Sequence, residues 1–317
     1  MNIDLVHHER SRLARDDLAS SVDTLHLVQR LSTIPNPLAL KHRGFSSKPG
    51  KIPNSVIWFH NAPKGDHKPN LTIYENFTIG YGFRVNISLP KFLAGQNFDL
   101  PNEEGIFNTL NSVSEYVTDT SGIQFDALSA SVARIDFATN LDLPSDDAGK
   151  FLERAARLDV PRMPLRRDLS RNRSVYRGNA SRMIRIYDKS SQSGVEAPSN
   201  TRIRIEYEFP NEGATYRFAE RITADNHRAE TLLSRNVRMF AIKEVLDMLC
   251  LDSFEPLADY SFAYFYARTG KIDQARRNSS FVAAYREFGS DFYQREGSRM
   301  SEQRYRRELR ECQSLGF

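Results

Sequence analysis

Apolar and polar positions alternate along several short stretches of the chain. Phe83 to Leu89 (FRVNISL) switches character at every residue, the mark of a strand with one buried face, and Pro90 ends it. Val56 to His60 and Leu71 to Phe77, rich in β-branched and aromatic residues, also read as strands, and Gly80-Tyr81-Gly82 reads as a turn. Ser131 to Asn140, Met183 to Asp188 and Arg202 to Phe209 repeat the strand pattern. Helical spacing takes over where Asn102 offers a cap, Glu103 and Glu104 suit a first turn, and Ile106, Leu110, Val113 and Val117 share a face. Ser145 caps a second helix with Ala148, Phe151, Leu152 and Ala155 on one side. Lys41 to Asn54 and the basic, proline-punctuated Asp159 to Arg173 read as loops.

From Glu212 onward the pattern is helical, with Leu232 to Leu251 the longest apolar-periodic stretch and Phe281 to Phe292 and Ser301 to Gln313 after it. Strands first and helices afterwards predict an α+β fold. The expected N-terminal domain, residues 1–228, has a central, mainly antiparallel sheet with flanking helices. An all-helical C-terminal domain, residues 229–317, follows.

Composition narrows the class. The chain has 317 residues, 40% of them hydrophobic, with no run long and apolar enough for a spanning helix. Met1 to Arg10 is polar and carries no secretory pattern, and the 2 cysteines, Cys250 and Cys312, make no disulfide framework. A cytoplasmic protein with no membrane partner is expected.

Charge changes the picture only when it is located. Lys and Arg number 44 against 40 Asp and Glu, a net +4. Yet Arg162 to Lys189 holds nine basic residues against Asp168 and Asp188, and Arg268 to Glu311 holds eleven against seven. Arginine dominates both stretches, and its planar fork suits phosphate oxygens. A nucleic-acid partner accounts for these stretches, as does a solvated loop and helix face.

The candidate chemistry lies on three strands. Side chains alternate across a strand, so Arg134 and Asp136 share one face of theirs, Arg185, Tyr187 and Lys189 one face of the next, and Arg202, Arg204, Glu206 and Glu208 one face of the third. In one sheet those charged faces coincide. A solvated outer face with cross-strand ion pairs explains the pattern. So does a site in which Asp136 and Glu206 hold a hard divalent cation, arginines orient a phosphate and Tyr187 acts as nucleophile. Arg185 and Lys189, with the metal, are expected to favour the Tyr187 phenolate. Tyr176 is the rival nucleophile. Among the 7 histidines there is no His-x-His pair, and Thr269-Gly270-Lys271 lacks the upstream glycines of a P-loop.

Ala133-Arg134-Ile135-Asp136, Ile186-Tyr187-Asp188-Lys189 and Arg204-Ile205-Glu206, in that order, resemble the gene II/X replication initiators of filamentous phages. More distantly the chain is similar to plasmid rolling-circle initiators of the Rep_trans type. Ser88-Leu89-Pro90-Lys91-Phe92-Leu93-Ala94-Gly95-Gln96-Asn97 resembles the family's serine-proline-lysine-leucine-glycine-asparagine element, with Gln96 where relatives often carry histidine. The likeness covers about residues 70 to 225, and faintly Tyr285 to Phe317.

The resemblance implies a rolling-circle initiator that nicks one strand of a supercoiled origin, keeps the 5′ phosphate on a tyrosine, leaves a 3′ hydroxyl and later rejoins the displaced strand. It implies Tyr187 as the nucleophile with Lys189 beside it, and Asp136 and Glu206 as ligands of Mg²⁺ or Mn²⁺. Glu208 has no reliable counterpart in the family motif. Arg134, Arg173, Arg177, Arg182, Arg185 and Arg204 are the expected DNA contacts. Supercoiled double-stranded origin DNA, single-stranded DNA, a host helicase and further copies of the chain on DNA are the expected partners, in the cytoplasm of a bacterial host if the protein is phage-encoded. A non-catalytic DNA-binding regulator and a scaffold with a helical tail are the competing classes.

Overall fold

The computed structural model describes residues 20–53, 55–76, 80–157, 160, 162–167, 174–194, 200–222 and 226–249, with scattered residues between 271 and 314. In chain order the elements are β1 (Ser21–Leu31), α1 (Pro37–His42), β2 (Ser46–Pro49), β3 (Val56–His60), β4 (Asn70–Asn76) and β5 (Gly80–Ser88). Next come α2 (Leu89–Ala94), α3 (Glu103–Ser121), β6 (Ser131–Pro144), α4 (Ser145–Arg157), β7 (Leu165–Arg167), β8 (Ser174–Gly178) and β9 (Met183–Asp188). The last are α5 (Lys189–Ser193), β10 (Asn200–Phe209), α6 (Glu212–Arg221), α7 (Ala229–Leu232) and α8 (Arg235–Met248).

The strands form one 10-stranded sheet in the order β2-β3-β4-β5-β1-β6-β10-β9-β8-β7, antiparallel at every pairing. The α+β class with a large antiparallel sheet therefore holds for the described part. Strand β1 was not read from the sequence, although Val22, Leu25, Leu27 and Val28 are buried in it. Bulges after Val22 and at His26 break its alternation, which masks the period-2 signal.

Three local readings are corrected. Lys41 to Asn54 contains the exposed edge strand β2, and a short β7 lies within the stretch read as a basic loop. Gly80-Tyr81-Gly82 is the start of β5 rather than a turn, and the Tyr74 ring lies across Gly82, where a Cβ would come within 2.6 Å of its Cζ. Glycine at 82 makes room for that ring.

The helices cover the apolar side of the sheet. Ile106, Leu110, Val113 and Val117 of α3 are fully buried, and Asn102 caps that helix by accepting from the Gly105 amide, as its sequence predicts. Phe137 of β6 meets Phe209 of β10 and Phe218 of α6 at ring separations of 6.1 and 5.5 Å. Helices α7 and α8 pack against β6 into the same core through Leu232, Ala241 and Val245. Arg238 of α8 is buried, donating to the Ser20 carbonyl at 3.2 Å and pairing with Glu103 at 3.5 Å. The helical segment 229–249 is thus built onto the sheet, and the rest of the expected C-terminal domain lies almost wholly outside the described residues. No helix among the described residues is long and apolar enough to cross a membrane.

Removing the Phe137 ring leaves a cavity at the junction of β6, β10 and α6. Phe137→Ala should therefore lower stability by about 3–5 kcal/mol, read from the urea midpoint at constant slope.

Candidate functional site

Strands β6, β10 and β9 are neighbours, so the charged faces read from the sequence do meet. Register fixes who meets whom: Glu208 lies opposite Asp136, Glu206 opposite Arg185, and Arg204 opposite Tyr187. Glu206 sits diagonally from Asp136, because its direct partner on β6 is Ala138. This face is not a solvated outer surface. Asp136, Glu206 and Glu208 are 2%, 4% and 3% exposed, and Arg204 is 0% exposed.

Buried carboxylates need counter-charge, and arginines supply it. Arg134 donates to both oxygens of Asp136, at 2.9 and 2.7 Å, and reaches Glu208 Oε1 at 3.2 Å. Arg185 pairs with Glu208 and lies 3.8 Å from Glu206. Arg204 donates to Asn140 at 2.9 Å, to Asp23 at 3.2 Å and to the Phe98 carbonyl at 2.7 Å. The Tyr187 hydroxyl donates to Glu206 Oε1 at 2.6 Å.

Lys189 opens α5, behind an Asp188 side chain that caps the helix. Its ammonium donates to Asn97 and Gln192, each at 2.8 Å, and lies 5.7 Å from the Tyr187 ring centre. The Ser88–Asn97 element therefore delivers a site contact. Helix α2 ends at Gly95 in the left-handed region, and the chain turns to place Asn97 on Lys189 and Phe98 on Arg204. Arg202 pins the same loop by pairing with Asp99 at 2.5 Å and stacking on the Phe98 ring at 4.4 Å.

Burial dominates the acid–base behaviour. It pushes the Glu206 carboxyl up to about 7, with the Asp23 charge adding to the effect, and the Asp136 carboxyl up to about 6 against the opposing Arg134. Lys189 is brought down to about 8, chiefly by burial and then by Arg204. His26, on the same face in β1, is brought down to about 4 by burial and by Arg134 and Arg84. Tyr187 departs from expectation. Burial, then the Glu206 charge, raises its phenol well above the ordinary value and outweighs Arg204. The neighbouring cations do not by themselves create a phenolate.

Of the expected DNA contacts, Arg134, Arg185 and Arg204 reach this face, and Arg173 lies outside the described residues. Two are corrected. Arg177 lies opposite Ile184, on the helix side of the sheet, buried with its guanidinium donating to the carbonyls of Ala155 and Ala156 at the end of α4. Arg182 is engaged by Tyr207 at 3.2 Å and Glu244 of α8 at 3.4 Å, also on the helix side. Arg204 is on the right face, but its donors are taken up by protein acceptors, so it organises the site. Tyr176 is on the same face one strand farther out, opposite Arg185.

Two residues were missed. Glu208 was set aside for lack of a motif, yet it shares Arg134 with Asp136; the alternation of β10 contained that signal. Asp23 reaches the site only through the β1 bulge, which no pattern announced.

Asp136 and Glu206 offer the hard oxygen donors that Mg²⁺ and Mn²⁺ prefer, and burial raises both carboxyls. Among the described residues no three Asp, Glu, His or Cys side chains converge as a ready cage. A magnesium-type ion binds through one or two carboxylates and completes its shell with water and phosphate, so the pair fits that chemistry.

No protein-family model matches the chain, and no curated protein matches it. Among solved structures, it is similar to a rolling circle replication initiator protein from Geobacillus stearothermophilus, at 14% identity and a TM-score of 0.32, over 65% of this chain and 78% of that one.

Two outcomes follow from the charges. Both raised carboxyls favour the protonated form in the folded state, so their contribution to stability is complete below their unfolded values near 4 and is lost as the pH rises through 6 and 7. Glu206→Gln keeps an acceptor for Tyr187 and should stabilise the fold at pH 8 by up to about 3 kcal/mol, read as a higher melting temperature. The gain over the parent should vanish near pH 4. Arg177→Ala should cost about 1–3 kcal/mol of stability through the stranded helix carbonyls.

Proposed function

We propose that this protein is a rolling-circle replication initiator: a DNA strand transferase that nicks one strand of supercoiled origin DNA and later rejoins the displaced strand. The observation that carries the reading is the Tyr187 hydroxyl held 2.6 Å from Glu206 on a buried sheet face with Asp136, Glu208 and paired arginines. The order and spacing of the motifs on β6, β9 and β10 support it independently.

In this reading Tyr187 Oη attacks the scissile phosphorus and its proton passes to Glu206, which already accepts it. The bond from phosphorus to the 3′ oxygen breaks, and that oxygen leaves with the bonding pair and takes up a proton. The products are a 5′-phosphotyrosine and a free 3′ hydroxyl; attack by a 3′ hydroxyl on the phosphotyrosine reverses the exchange and reseals a strand. The esters exchange one for one, so no external energy source enters. Asp136 and Glu206 would hold the Mg²⁺ or Mn²⁺, which when bound polarises the phosphodiester and offsets its developing charge. Lys189, fixed by Asn97 and Gln192, places a cation beside the phenol ring. Arg134 and Arg185, half-buried at the edge of the cluster, are placed to orient phosphate oxygens.

Supercoiled origin DNA is the proposed substrate and single-stranded DNA the second partner. A host helicase and further copies of the chain complete the proposed assembly.

The test is conversion of supercoiled DNA to nicked circles with Mg²⁺. Tyr187→Phe should abolish nicking and the covalent protein–5′-end adduct, a loss of at least about a thousandfold for a missing nucleophile. Tyr176→Phe should retain both. Nicking that survives in Tyr187→Phe and disappears in Tyr176→Phe transfers the role to Tyr176; tight DNA binding with no nicking in the parent makes the protein a non-catalytic regulator.

A further inference from the structure

The polar face does not stop at the carboxylates. Register carries it on from Asp136 to Thr24 of β1 and from Thr24 to Ser88 of β5, then from Arg134 to His26 to Asn86, and from Val28 to Arg84. Arg84, Asn86 and Ser88 are successive same-face positions of β5. Each carries a buried polar atom without a hydrogen-bond partner: Arg84 Nε, Asn86 Oδ1 and Ser88 Oγ. Three such atoms in a row on one strand are uncommon in a folded protein, where buried polar atoms are nearly always paired. Beyond them the Tyr74 ring lies across Gly82, with the Arg84 guanidinium 5.2 Å from its centre.

This row combines groups that recognise a single strand: an aromatic face for stacking, a guanidinium beside it, and amide and hydroxyl groups for base edges. It runs across five adjacent strands from the Tyr187 strand β9 to β5, about 20 Å at ordinary strand spacing. A strand whose bases are splayed can set them against these groups in turn.

We propose that the β1–β5–β4 face is a single-stranded DNA track that leads into the Tyr187 site, with Tyr74 stacking a base, Arg84 meeting its phosphate and Asn86 reading a base edge. The inference rests on the nicking reading and names where the cut strand lies before it reaches the nucleophile. Asn86 and Ser88, part-exposed on this face, are its selectivity residues, because an amide and a hydroxyl can pair with base edges.

The test is fluorescence anisotropy of the full chain with labelled oligo-dT and oligo-dA, compared with a duplex of the same length. Tyr74→Ala should weaken single-strand binding by about 10-fold, and Tyr74→Phe, which keeps the ring, should restore it. Arg84→Gln should weaken it and flatten its salt dependence. Asn86→Ala should shift the ratio of oligo-dA to oligo-dT affinities. Unfolding midpoints within error of the parent keep these changes attributable to the track. Single-strand affinities of Tyr74→Ala and Arg84→Gln within twofold of the parent overturn the track. So does an equal loss for duplex and single strand. The supercoiled nicking assay answers separately: parent nicking that depends on Tyr187, with unchanged oligonucleotide affinity in the track variants, removes this inference alone, whereas absent nicking with weakened single-strand binding removes the chemistry and leaves the track.

Discussion

A strand side chain has only two directions open to it, and in this sheet one of them is occupied. Helices α3, α4, α6 and α8 take the apolar side of the central strands, so the charges of β6 and β10, with Arg185 of β9, go to the other, while Asp188 at the end of β9 caps α5. Four buried or nearly buried acids, Asp23, Asp136, Glu206 and Glu208, are thereby gathered where Arg134, Arg185 and Arg204, with Lys189 nearby, offset them. The rest of the site depends on that enforced proximity. Removing one partner of such a cluster strands a charge in a poorly solvated place, which explains why so many guanidinium donors are committed to protein acceptors.

The network also links the chemistry to chain segments far away in sequence. Arg204 joins Asp23 in the first strand, Asn140 in β6 and the Phe98 carbonyl after α2. Lys189 draws in Asn97 from the same loop. A side chain held from three directions in a close-packed setting has little rotamer freedom, so the tyrosine and its carboxylate meet a pre-ordered surround.

Arginine content was a poor guide to which arginines reach the polar face of the sheet. Arg177 and Arg182 belong to the most basic stretch of the chain, yet one closes the end of α4 and the other ties β9 to Tyr207 and Glu244. Parity along the strand separates them from Arg185: Arg177 faces Ile184 across the β8–β9 ladder, whereas Arg185 faces Glu206 across β9–β10. Charge runs report composition; the face on which each charge lands reports role.

Much of this was legible beforehand. Alternation along β6, β9 and β10 placed Asp136, Tyr187 and Glu206 on polar faces, and Asn102 and Ser145 marked the starts of α3 and α4, because period and capping are local properties of the chain. Local pattern could not supply strand order or register, and these decided that Glu208 rather than Glu206 faces Asp136. Nor could it supply the bulge that brings Asp23 to Arg204, since a bulge is an irregularity that only a neighbouring strand reveals. The raised phenol of Tyr187 is tertiary for the same reason: desolvation depends on everything packed around a group, and no spacing in the sequence records it. The sequence by itself determined which residues each strand would turn toward its polar side. The tertiary structure decided which of them meet, how deeply they are buried and what each is left free to do.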